Sequence, residues 1–282
     1  MPIISSSCEI WGFENAPQLD TVYLGFLKSL LGVRKSVPTP YVYKELGVQP
    51  LKNDRIKRMV KYWVKILNLP DGSPVKKVYR LLVQNIEQHN LLPTGHVKNW
   101  ASAVKNILES HGFGFVWQRQ NVPNANSFLS MFNQRIDDMY LQQSHANVDE
   151  CSVHRLYNHL NVPDGGANYI EYIKEKYIRI AISRMRLGSH CFMVERGRWE
   201  RPKREYGLRK CNVCNDIEDE YHIVMSCPRF SALRSRYLNK SLYCKPSMFK
   251  FISFLNSATG KDLKHFGIFC SKVMIKYNES II

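Results

Sequence analysis

The chain has 282 residues, 44% hydrophobic and 23% charged, with 40 Lys and Arg against 24 Asp and Glu. That length suits one large or two smaller domains, and the composition excludes collagen-like and disordered classes. The net charge of +16 is unevenly spread: residues 1–150 carry 17 basic and 12 acidic side chains, residues 151–282 carry 23 and 12. A field of that sign attracts polyanions, and nucleic acid is the commonest such partner.

In chain order the pattern predicts mostly helix. Pro17 and Asp20 open a segment that Gly32 closes, with Leu19, Val22, Tyr23, Phe26, Leu27, Leu30 and Leu31 on one face. Thr39-Pro40 reads as a cap and first-turn proline, with Gly47 just past the end of that short helix. From Pro50 to Leu69, Leu51, Ile56, Met59, Val60, Trp63, Val64 and Leu67 recur at helical spacing, and Lys52, Arg55, Lys57, Arg58, Lys61 and Lys65 take the other face. Such a basic stripe is a solvated face or a phosphate track. Further helices are predicted at 74–89, 95–110 and 127–143. Breaks fall at NVPNAN (121–126) and NVPDGGAN (161–168), which puts a domain boundary near 145–165. One long helix is then predicted over 168–187, with Tyr169, Ile173, Tyr177, Ile180 and Met185 facing inward, and an extended segment over 191–199. Pro228 starts a last basic helix bearing Arg229, Arg234 and Arg236.

The opening MPIISSSCEIWGF lacks the basic start and apolar run of a signal peptide, and no apolar stretch approaches ~20 residues, so no membrane partner is expected. Cysteines stand singly at 8, 151, 191, 244 and 270, apart from one group at 211–227. That usage fits a reducing intracellular compartment, nucleus or cytoplasm, and not a disulfide framework.

The group has the spacing Cys-x2-Cys-x7-His-x4-Cys: Cys211, Cys214, His222 and Cys227. Three thiolates and an imidazole satisfy the tetrahedral preference of Zn2+ and leave no position open for water, so one structural zinc is expected rather than a catalytic one. Before it lie ten cations: Arg179, Arg184, Arg186, Arg196, Arg198, Arg201, Lys203, Arg204, Arg209 and Lys210. With Trp199 and Tyr206 they predict a scaffold that presents arginines and aromatics to an RNA or DNA backbone. His154 and His159 near Cys151 are a possible second metal group, against the commoner reading of scattered histidines.

RMRLGSHCFMVERGRW followed by CNVCNDIEDEYHIVMSCPRF resembles the C-terminal region of reverse transcriptases from non-LTR (LINE-type) retrotransposons. CEIWGFENAPQLDTVYLGFLKSLLGVRKSVPTPYVYKELGVQPL is similar to the stretch after the polymerase palm, in or near the thumb, and VKYWVKIL, NWASAVKNIL and FLSMFNQRI resemble the helical linker after it. The resemblance implies binding of template RNA or target DNA, with Cys211, Cys214, His222 and Cys227 as zinc ligands. It carries over no catalytic residue. The fingers and palm would precede the matching stretch, so a polymerase core supplied elsewhere is an implied partner. Asp137 and Asp138 in RIDDMY follow Arg135 where that family's metal-binding aspartates follow an aromatic, and they read as a solvated helix face. Only Asp262 and Glu279 follow Cys227, too few acids for a two-metal nuclease.

The expectation is thus a mainly α, multi-helix array with a small CCHC zinc-finger module near the C-terminus, and not an enzyme. Its segments would be a thumb-like start (1–50), a helical linker (51–160), a basic helix with the finger (161–245) and C-terminal helices (246–282). The rival readings are a protein-interaction module and a retrotransposon relic without function.

Overall fold

A computed structural model of the chain describes residues 5–89, 98–151 and 155–279. The helices are α1 (Cys8–Trp11), α2 (Pro17–Leu31), α3 (Thr39–Leu46), α4 (Leu51–Leu67), α5 (Pro74–His89), α6 (Trp100–Ser110), α7 (Gly114–Arg119) and α8 (Ala125–Asp149). They continue as α9 (Tyr169–Tyr172), α10 (Lys176–Arg186), α11 (Met193–Trp199), α12 (Glu220–Met225), α13 (Ser231–Tyr237), α14 (Lys240–Tyr243), α15 (Met248–Ser257) and α16 (Gly260–Glu279). The structure is mainly helical. Among the described residues there is no strand, only an antiparallel bridge between Lys210 and Ile217.

Two compact units form: Met1–Tyr23 with Gln49–Gln143, and Leu24–Val48 with Ser144–Ile282. The return of Leu24–Val48 to the C-terminal unit differs from the contiguous segments read from the sequence. In the first unit, α4 buries Ile56, Met59, Val60, Trp63 and Val64 at the predicted spacing. Trp63 donates its indole N–H to the Tyr79 hydroxyl at 2.8 Å, and Tyr79 donates in turn to Gln120 at 2.5 Å. Burial pushes the Tyr79 phenol up to about 12. An Asn99–Ser102 capping box starts α6. Asp137 accepts from Gln49 and from Lys57, whereas Asp138 stays exposed, as expected of a solvated helix face, and accepts from Gln134 one turn back on α8. One member of the α4 basic stripe departs from its predicted face: Arg55 is buried, 5.7 Å from the Trp11 ring and 3.5 Å from Asp20.

The C-terminal unit is built on α10 against α16. Gly267 permits their approach, since a Cβ there would stand 2.2 Å from Ile178 Cγ2. The predicted long helix over 168–187 is instead α9 and α10, with extended backbone at Ile173 and Glu175. Arg179 supplies the physical reason by donating to the Ile173 and Lys174 carbonyls that a continuous helix would have kept for itself. The break rephases the second half, so Ile178, Ala181, Ile182 and Met185 face the core while Tyr177 is exposed. Residues 193–199, predicted as extended, are helix α11. On α2 the predicted apolar face divides: Tyr23, Leu27 and Leu31 are buried, Val22, Phe26 and Leu30 exposed.

Glu45 and Arg186 form a buried ion pair in this unit. Arg186 Nε lies 2.6 Å from Glu45 Oε1, Nη2 lies 3.4 Å from Oε2, and Nη1 donates to the Leu255 carbonyl at 3.2 Å. Both side chains are buried, and the Glu45 backbone carbonyl also receives Ala167 N–H at 2.8 Å. The chain crosses itself closely here, because a Cβ on Gly47 would meet the Gly165 backbone at 2.2 Å. Removing one partner of such a pair strands a buried charge. Glu45→Leu is expected to lower stability by roughly 3–5 kcal/mol, and the Glu45→Leu/Arg186→Leu double variant to recover much of it. Urea unfolding followed by circular dichroism measures both; a wild-type midpoint for Glu45→Leu alone would refute the assignment.

Candidate metal centre

The Cys/His group is assembled from a tight turn and a short helix. Lys210 and Ile217 pair across the turn, the Cys211 N–H donates to the Asp216 carbonyl at 2.7 Å, and the Asn215 N–H to the Cys211 carbonyl at 2.9 Å. Asn215 sits at φ 61°, a left-handed position that asparagine tolerates better than most residues. Both features bend the backbone so that the Cys211 and Cys214 thiols point inward. The Asp219 carboxylate then caps α12 by accepting the His222 N–H at 2.8 Å. The helix is short, and the Cys227 N–H returns to the His222 carbonyl at 2.8 Å, which brings the last cysteine back under the ring.

The four ligand atoms consequently lie within 4.8 Å of one another. Cys211 Sγ is 3.9 Å from Cys227 Sγ, and Cys214 Sγ is 3.1 Å from His222 Nε2. A 2.3 Å metal–sulfur bond puts two sulfurs of a tetrahedron about 3.8 Å apart, so the donor set fits a metal ion. The other ring nitrogen, Nδ1, faces Ser226 Oγ at 3.3 Å and Asp216 Oδ2 at 3.9 Å, partners that favour a proton on Nδ1 and a lone pair on Nε2. Burial pushes the Cys227 thiol up to about 12, raises that of Cys214, and lowers the His222 imidazole. The same desolvation thus favours a neutral, ligating imidazole and opposes bare thiolates.

Arg234, expected from the sequence as one of three arginines on a basic helix after the group, is central to this frame. It is buried, and it donates to the carbonyls of Val224 (2.7 Å), Ile223 (3.2 Å) and Cys227 (2.8 Å). It satisfies the C-terminal end of α12 and fixes the backbone that carries Cys227. No local sequence signal marks that role, because the accepting carbonyls lie seven to eleven residues away. Asp219 did carry a signal, standing three residues before His222 as a helix cap does.

The ten cations before the group separate into three fates. Arg179, Arg184, Arg186 and Arg209 spend their guanidinium groups on the fold. Arg184 bonds the Gly32 carbonyl at 2.7 Å, and Arg209 reaches the carbonyls of Val194 (2.8 Å) and Arg204 (3.0 Å). For the buried Arg186 and Arg209 this corrects the prediction that they face a nucleic-acid backbone. Arg198 pairs with Glu195 at 3.2 Å and, with Lys203, lines a cleft of about 540 Å3 that also holds Arg155, Tyr206, Asp219 and Glu220. Arg196, Arg204 and Lys210 are exposed and line a second cavity, and Arg201 is exposed. Of the aromatics, Trp199 is exposed, whereas Tyr206 is covered by Arg155 at 4.0 Å. The possible second metal group is not assembled from described residues: His154 lies outside them, and His159 lines the larger cleft.

No protein-family model, curated protein or solved structure matches the chain.

Replacing Arg234 by Met keeps length and apolar bulk but withdraws the donors from three buried carbonyls. A loss of roughly 2–3 kcal/mol is expected, with faster amide exchange at Cys227 and Phe230. Hydrogen exchange by mass spectrometry checks this, and protection equal to wild type would show that Arg234 does not hold the frame.

Proposed function

We propose that the chain is a nucleic-acid-binding unit, akin to the C-terminal region of a LINE-type reverse transcriptase, whose Cys3His group takes one structural Zn2+. The observation that carries the reading is the setting of the cluster. Four convergent soft donors fix a compact frame, and exposed Arg196, Arg201, Lys203, Arg204 and Lys210 are presented from the chain that leads into it. Zinc suits the donors because it accepts thiolate and imidazole in a tetrahedron without redox change. With all four positions filled by protein, the ion would hold shape and activate no water. A polymerase core would come from elsewhere, and the resemblance supports that division of labour.

A second reading, a protein-interaction module, is favoured by Val75, Val78 and Leu81, exposed along one side of α5. Heparin separates the two, since only a nucleic-acid surface predicts strong displacement by a polyanion.

Native mass spectrometry is expected to find one zinc, removed by chelator and absent in Cys214→Ser; a folded, metal-free wild type would overturn the zinc assignment. Zinc affinity should rise with pH. Burial keeps the Cys214 and Cys227 thiols protonated in the metal-free protein, so binding must displace those protons. Each displaced proton contributes about tenfold per pH unit, and acidification releases the metal. Titration with a competing chelator across pH measures the slope; a pH-independent affinity would contradict it. Reversing Arg196, Arg198 and Arg201 to Glu is expected to weaken nucleic-acid binding by more than about tenfold and flatten its salt dependence. Fluorescence anisotropy against salt reads both, and unchanged binding would refute this surface.

A further inference from the structure

We propose that the cavity bounded by Arg196, Arg204, Lys210 and Arg229 seats a phosphate of a nucleic-acid backbone, with Arg229 as an anchor outside the arginine-rich approach. This rests on the nucleic-acid reading above and narrows it from a basic stretch of chain to one site. The cavity measures about 340 Å3, and its four cations come from four separate places. Arg196 lies on α11, Arg204 on the loop beyond it, Lys210 immediately before the first cysteine, and Arg229 two residues after the last one. Folding of the Cys/His turn therefore creates the convergence, which the linear sequence does not contain.

Charge decides between this cavity and its larger neighbour. The neighbour's Arg155, Arg198, Lys203 and Arg209 face Glu195, Asp219 and Glu220, so cations and anions nearly balance. In the smaller cavity one carboxylate, Glu218, faces four cations. Glu218 is buried and occupied from within, accepting the Met193 N–H at 3.1 Å and the Tyr277 hydroxyl at 2.8 Å. Arg204 is partly engaged by Glu200 at 2.7 Å, which leaves Arg196, Lys210 and Arg229 as the principal positive groups. Arg229 is steadied by aromatic faces, 5.5 Å from the Phe230 ring and 5.2 Å from that of Tyr277. A guanidinium held by its flat face keeps its edge donors directed sideways, the geometry that a phosphate oxygen pair accepts. Asn212 adds a neutral donor at the rim.

The test is anisotropy of a fluorescein-labelled oligothymidylate bound to the full chain, titrated from about 50 to about 200 mM salt. Arg196→Gln, Lys210→Gln and Arg229→Gln are each expected to weaken binding several-fold and to lower the slope of log affinity on log salt by about 0.7. Arg229→Lys should restore much of the slope, and Lys261→Gln, an exposed lysine outside the cavity, should leave both unchanged. Lys210 is exposed, so its variant carries the test even where Arg229→Gln perturbs the fold, as circular dichroism would reveal. A wild type that binds while all three cavity variants keep its affinity and slope overturns the cavity but not the broader reading. A wild type that binds no oligothymidylate at low salt overturns both.

Discussion

The pairing of Arg186 with Glu45 is the constraint on which the C-terminal unit depends. A guanidinium has five donors and cannot shed its charge, so once buried it must be met by a carboxylate and by carbonyls held in fixed places. Here those partners come from α3 and from the end of α15, two elements far from α10 in sequence. The pair thereby specifies which segments belong together. It is one of several contacts that join Leu24–Val48 to a unit whose other residues begin at Ser144, beside the Arg184 bond to the Gly32 carbonyl and the Ala167 N–H bond to the Glu45 carbonyl.

The same chemistry recurs at smaller scale. This unit is made largely of helices of four to eleven residues, each ending in carbonyls with no partner inside the helix. Arginine meets them repeatedly: Arg179 at the end of α9, Arg184 just past α2 and Arg234 on α12. A long side chain with a fork of donors reaches carbonyls that a backbone N–H cannot, and its charge suits the negative end of a helix. Part of the high arginine content is therefore an internal building material. What remains outside is a smaller, more localised positive surface than the net charge of +16 suggests.

The Cys/His group and that surface are coupled through the backbone. Lys210 and Arg229 bracket the ligand-bearing segment, and Arg234 holds the carbonyl of Cys227. A bound ion at this position would act on the geometry of the positive surface without touching a ligand of that surface, since filled coordination leaves it no free position.

The local features of the chain were legible in its sequence because they depend on neighbours a few residues apart. The 3.6-residue period of α4, the breaks at 121–126 and 161–168, and the spacing that gathers Cys211, Cys214, His222 and Cys227 are all of this kind, and the structure realises each. Features set by distant neighbours are another matter. Arg55, Arg186 and Arg209 read as exposed because arginine usually is, whereas their partners arrive only through tertiary contacts. The single helix over 168–187 failed because Arg179 captured the carbonyls that would have continued it. The extended reading of 191–199 failed because α11 is fixed by its packing, not by a strong propensity of its own. Sequence by itself thus determined the helical class and the Cys3His group that could hold a metal ion. Tertiary structure alone decided which cations are structural and which converge on a common cavity, because that choice rests on contacts between residues distant along the chain.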